Sequence, residues 1–197
     1  PFILNTNTNN QEYLVGEEIF PFIHENDEDM VALLSKAIIA IESENSIWKS
    51  RMMPDYGKPL TPMRRLGNKP GLAKGAVLPT VIMKEEDRSH LLAWQNNSGV
   101  KIHIWHVFFD LAFGLSLDKA EELIANGLIE PNVQTYQAPN GTTTNKTIYK
   151  FYYHYAYNLG TAVDEPTLTA KYIVDKNGHI LPFVNFEGGN LQIHQEA

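Results

Sequence analysis

TIYKFYYHYAYN, residues 147–158, alternates on a period of two, and the fold reading starts from it. One face carries Tyr149, Phe151, Tyr153, Tyr155 and Tyr157; the other carries Ile148, Lys150, Tyr152, His154 and Ala156. Alternation of this length in β-favouring residues predicts a strand with an aromatic side and a mixed polar side. The simplest place for the aromatic side is a core. Buried phenol hydroxyls need partners, however. The alternative is therefore the wall of an aromatic ligand site, with Tyr149, Tyr153 and Tyr155 as ligand contacts.

C-terminal to this strand, Leu168–Val174 and Ile180–Phe186 flank Asp175-Lys176-Asn177-Gly178, a hairpin signal. Gly188-Gly189 then separates a last short strand, Leu191–His194. N-terminal to it, Val133–Gln137 leads into the tight turn Pro139-Asn140-Gly141. Ser116 is placed to cap a helix over Leu117–Asn126 that Gly127 ends. Lys101–Phe109, KIHIWHVFF, is apolar on both sides and predicts a central strand. Glu85–Asn96 predicts a helix and Ala76–Lys84 a short strand. Asn26-Asp27-Glu28-Asp29 supplies a cap and acidic first turn for a helix over 28–45, with Met30, Leu33, Leu34, Ala37, Ile38 and Ile41 on one face.

The expected fold is therefore α+β in a single globular domain, 1–197. Its helices fall mainly in the first two thirds, packed on a mostly antiparallel sheet with a C-terminal β-meander. Residues 1–11, rich in Asn and Thr, are expected to form a frayed arm. Residues 52–79, broken by Pro54, Pro59, Pro62, Pro70 and Pro79, are expected to form a long irregular loop.

A chain of 197 residues with 43% hydrophobic residues can bury a core without staples. The absence of cysteine excludes disulfides, thiolate nucleophiles and cysteine metal sites. A net charge of −7 argues against nucleic acid as a partner, because phosphates require Lys and Arg. No apolar run approaches the ~18 residues that span a bilayer. The first residues lack a signal-peptide pattern, so the cytoplasm is the expected compartment and secretion the alternative. Pro1 is compatible with removal of an initiator Met or of a leader.

The loop is locally basic: Arg51, Lys58, Arg64, Arg65, Lys69 and Lys74 stand against Asp55 alone. Together with the Tyr strand it gives the first functional reading, a protein that binds a small molecule or a protein partner. The second is a hydrolase or transferase acting on an anionic substrate. There His154 or His106 serves as general base, Tyr152 as donor, and Arg64 or Arg65 as anion clamp. A weaker third reading is an exported effector or toxin. His103, His106 and Asp110 would form a metal triad on a helix, but on a strand His103 and His106 face opposite ways. No metal and no cofactor is therefore expected. The Gly-x-Ser-x-Gly elbow, His-Glu-x-x-His, the Walker loop and the dinucleotide fingerprint are all absent.

Overall fold

The computed structural model describes residues 2–6, 12–15, 34–137, 143–174 and 178–196. Strands dominate. The main sheet runs in the order β14-β11-β8-β7-β3-β1-β2, built from β1 (Phe2–Thr6), β2 (Glu12–Val15), β3 (Ile39–Asn45), β7 (Lys101–Val107), β8 (Leu111–Ser116), β11 (Tyr157–Asp164) and β14 (Asn190–Ile193). Among the described strands only β3 and β7 pair in parallel, with Ile39 opposite Lys101 and Asn45 opposite Val107. A small antiparallel sheet joins β6 (Thr80–Lys84), β10 (Thr143–Tyr152) and β9 (Asn132–Gln137). β4 (Thr61–Met63) pairs with β5 (Lys69–Gly71), and β12 (Thr167–Val174) pairs with β13 (Ile180–Glu187). Two α-helices complete the described residues, α1 (Glu85–Ser98) and α2 (Leu117–Ala125).

This is a mostly β protein, which overturns the α+β expectation of helices filling the first two thirds. The main error lies at 28–45. Residues 28–33 fall outside the described residues, and Ile39–Asn45 is strand β3 rather than helix. The run Ala37-Ile38-Ile39-Ala40-Ile41 fits both periods, and a short apolar run cannot arbitrate between them. Parallel pairing along the whole length of β7 decides it, and β-branched Ile39 and Ile41 suit the pleat. The C-terminal meander is also corrected. β12 and β13 leave the main sheet as a separate hairpin, and the chain returns to pair β14 with β11. The tight turn at 139–141 and the hairpin turn at 175–177 lie outside the described residues.

The core lies between one face of the main sheet and a layer made by the small sheet and both helices. Ile102 and Ile104 of β7, with Phe113 and Leu115 of β8, meet Val81 and Met83 of β6 and Tyr149 and Phe151 of β10. Leu117, Ala120 and Leu123 close this layer from α2. α1 starts with Glu85, Glu86 and Asp87 at the positive end of its dipole and stops at Gly99, which is left-handed at φ 72°. α2 is capped as its sequence predicts: the Ser116 hydroxyl accepts from Lys119 N–H at 3.2 Å, and Gly127 is left-handed at φ 65°. Buried Gln95 ties three elements together. Its amide donates to Asp118 at 2.8 Å, and its carbonyl accepts from Ile102 N–H at 2.8 Å.

The long loop at 52–79 is partly ordered by short-range structure, the β4–β5 ladder and a 3-10 turn at Arg64–Leu66. A Cβ on Gly71 would approach the Leu66 side chain to 2.6 Å, so glycine is what lets Leu66 pack into its buried position. The carboxylate of Asp55 clamps the loop near both ends. It accepts from Val77 N–H at 2.6 Å and from Lys58 at 2.6 Å.

Candidate anion-binding pocket

The aromatic strand is not continuous. β10 ends at Tyr152, Tyr153–Tyr155 forms a 3-10 turn, and β11 begins at Tyr157. The turn is fixed from outside, because Tyr153 N–H donates to the Pro79 carbonyl at 3.0 Å. The five aromatic residues expected on one face therefore reach different surroundings. Tyr149 and Phe151 keep the strand alternation and lie in the core. The guanidinium of Arg88 sits over the Tyr149 ring at 5.5 Å. Tyr153 stacks on Tyr56 at 5.2 Å, and its hydroxyl accepts from Gly57 N–H at 3.0 Å. Tyr155 donates to the Pro70 carbonyl at 3.2 Å, and burial raises its phenol pKa. Tyr157 lies on the far face of the main sheet, over Gly114, where a Cβ would come within 2.2 Å of its ring. There its hydroxyl accepts from Trp105 Nε1 at 2.9 Å and meets His103 Nδ1 at 2.7 Å.

The other side of β10 does build a site. Lys150 and Tyr152 are two residues apart, so they share the face turned away from Tyr149 and Phe151. They line a hollow of about 240 Å³ together with Arg65 and Lys74 from the long loop and residues 128–132 from the link between α2 and β9. Arg65 is held in place, its guanidinium paired with Glu130 and donating to the Leu72 carbonyl at 2.5 Å. Glu130 is thereby spent on Arg65. No ion pair engages Lys74 or Lys150 among the described residues. The Tyr152 ring stacks beside Tyr155 with centroids 6.2 Å apart and planes 21° from parallel, giving the hollow a flat, supported edge.

The structure thus brings Arg65 and Tyr152 to one hollow, and leaves the other sequence candidates outside its lining. Arg64 is exposed beside it. His154 is rotated off the Lys150–Tyr152 face by the 3-10 turn. Its Nε2 bonds the Lys58 carbonyl at 2.7 Å, and its ring lies 4.1 Å from that of Tyr153. His106 is 3% exposed within the core, stacked on Phe108 at 4.5 Å. Neither of its ring nitrogens has a hydrogen-bond partner among the described residues, and burial lowers its pKa to about 4. Asp110 plays no part with either histidine of β7. Its carboxylate accepts from Ser50 N–H at 2.6 Å and Arg51 N–H at 3.1 Å, capping the 3-10 turn at Ser50–Met52.

Sequence reading missed the contribution of residues 128–132. Pro131 marks a chain break there, but nothing local says that the break abuts Arg65. A larger hollow of about 320 Å³ lies where β7 turns into β8, against Pro166 and Gly188-Gly189 at the base of the β12–β13 hairpin. Its wall is mostly apolar, including Val107, Phe108 and Leu191, and it contains none of the residues proposed as catalytic or ligand-binding from sequence. Size alone does not make a binding site. Convergent, uncommitted polar groups do, and those line the smaller hollow. Comparison with protein-family models, curated proteins and solved structures returns no match.

Proposed function

We propose that the chain binds a small anionic compound, one bearing a phosphate or carboxylate group, in the hollow between the end of β10 and the basic loop. The observation that carries this reading is the pair Lys74 and Lys150, which converge on one concavity whose lining carboxylate, Glu130, is already paired with Arg65, in a chain of net charge −7. Cations held in a recess beside low-dielectric walls focus a positive potential there. Arg65, fixed by Glu130 and Leu72, adds N–H donors in a set geometry, and Tyr152 adds a hydroxyl and a flat ring. A volume of about 240 Å³ suits a small molecule rather than a polymer segment. The absence of imidazole from the lining favours binding over general-base hydrolysis.

Titration calorimetry against inorganic phosphate and a panel of phosphorylated and carboxylated small molecules tests this. Lys150→Ala should weaken the best binder roughly ten-fold or more, the scale of one charge-assisted hydrogen bond. Lys119→Ala, which removes a cation from α2 outside the hollow, should leave affinity unchanged. Equal affinity for Lys150→Ala and the parent chain would remove the hollow from consideration.

A further inference from the structure

Tyr152 puts an aromatic ring on the outer face of β10, and its neighbours hold it there. Strand pairing with β6 ends at Tyr152, opposite Thr80, and the 3-10 turn at Tyr153–Tyr155 brings Tyr155 back beside it. The two rings lie 21° from parallel with centroids 6.2 Å apart. Tyr155 is itself fixed, because its hydroxyl donates to the Pro70 carbonyl at 3.2 Å. The turn between the two rings is anchored by the bond from Tyr153 N–H to the Pro79 carbonyl at 3.0 Å. The Tyr152 ring is thus set in place before any ligand arrives, so ordering it on binding costs little entropy. It is half-buried and lines the same hollow as Lys150 and Lys74.

A bare anion uses the cations of this hollow and leaves the ring unused. Lys150 and Tyr152 stand two residues apart on one strand face, which separates their Cα atoms by roughly 7 Å. A ligand that meets both therefore has a charged end and a flat apolar body joined by a short link. Leu128 and Pro131 add apolar wall to the same lining. Resting on the anion-binding reading, we infer that the hollow selects aromatic anions, whose phosphate or carboxylate is bonded to the ring directly or through one atom. The ligand ring stacks, offset, on Tyr152, where the quadrupoles of two aromatic rings attract. Its anionic group takes charge-assisted hydrogen bonds from Lys150 and Lys74. A saturated ring of the same bulk gains burial but not the stacking contact.

Titration calorimetry of the whole chain with phenyl, cyclohexyl and methyl phosphate tests this, with benzoate against cyclohexanecarboxylate as the carboxylate arm. Phenyl phosphate should bind roughly ten-fold or more tighter than methyl phosphate, and also tighter than cyclohexyl phosphate. Benzoate should likewise exceed cyclohexanecarboxylate. A preference in one arm alone identifies which anion the lysines accept. Tyr152→Phe should keep the aromatic preference, since the ring remains. Tyr152→Leu should abolish it and leave the affinity for methyl phosphate unchanged, which also shows that the hollow survives the substitution. Equal affinity for aromatic and saturated rings in the parent chain, or a preference that persists in Tyr152→Leu, would overturn the inference. In that case the anion site still stands if methyl phosphate binds and Lys150→Ala weakens it. Should none of these anions bind, the anion-binding reading falls and the aromatic selectivity with it.

Discussion

His106 shows how one residue couples position to pH. It lies on the core face of β7 because it alternates with Ile102 and Ile104, and burial lowers its pKa from about 6.5 towards 4. Between those values the unfolded chain takes up a proton that the folded chain refuses. The stability gained by keeping the ring neutral is therefore complete above pH ~6.5 and is lost as pH falls towards 4. At about 1.4 kcal/mol for each pH step between the two values, the effect is on the order of 3 kcal/mol. Urea unfolding of the parent chain should show a steady loss of stability over that window. His106→Leu, of similar volume and without a titrating group, should flatten the slope. If the variant falls as steeply as the parent, other groups govern the acid limb. Sequence alternation placed His106 opposite His103, but could not say which of the two sides would be dry. That depended on β6 and β10 packing over the face of Ile102 and Ile104 rather than over that of His103 and Trp105.

Elements were legible in proportion to how local their signals are. α2 is specified by Ser116 at one end and Gly127 at the other, and both act within one turn. Ser116→Ala removes an acceptor from Lys119 N–H and should destabilise the chain by about 1 kcal/mol. A thermal melt checks this. An unchanged midpoint would mean that packing of Leu117, Ala120 and Leu123 fixes the helix without its cap. α1, β9, β12 and β13 were likewise bounded by nearby Gly, Pro or charge. β3 was not, because Ile38, Ile39 and Ile41 satisfy helix and strand alike, and the deciding contact is with residues some sixty positions away. The break at Tyr153–Tyr155 was hidden for the same reason. Its three aromatic and imidazole side chains suit a strand as well as Tyr149 and Phe151 do, and the hydrogen bond that turns the chain comes from Pro79. The pocket was half legible: Lys150 and Tyr152 share a face by simple alternation, whereas their meeting with Arg65, Lys74 and Glu130 depends on tertiary placement.

At the scale of the molecule, side-chain bonds tie elements together both within and between the layers. Arg88 of α1 grips Glu121 of α2 with two bonds of 2.7 Å, and Gln95 links α1 to both α2 and β7. Burial of Ile102, Ile104, Phe113 and Leu115 beneath Val81, Met83, Tyr149 and Phe151 provides the larger, non-directional part of the stabilisation. The parallel pairing of β3 with β7 carries a consequence for how the chain assembles. β7 and β8 are joined by only residues 108–110, so their ladder closes a short loop. The β3–β7 ladder must close a loop that contains β4, β5, β6 and α1, and that entropy is lost before any bond repays it. In pulsed hydrogen exchange during refolding, amides of β7 and β8 should gain protection first and those of β3 later. Simultaneous or earlier protection of β3 would rule this sequence of events out. A nascent or refolding chain thus passes through a state in which the β7 edge is open before β3 arrives, and that interval is when it is most exposed to pairing with the wrong strand.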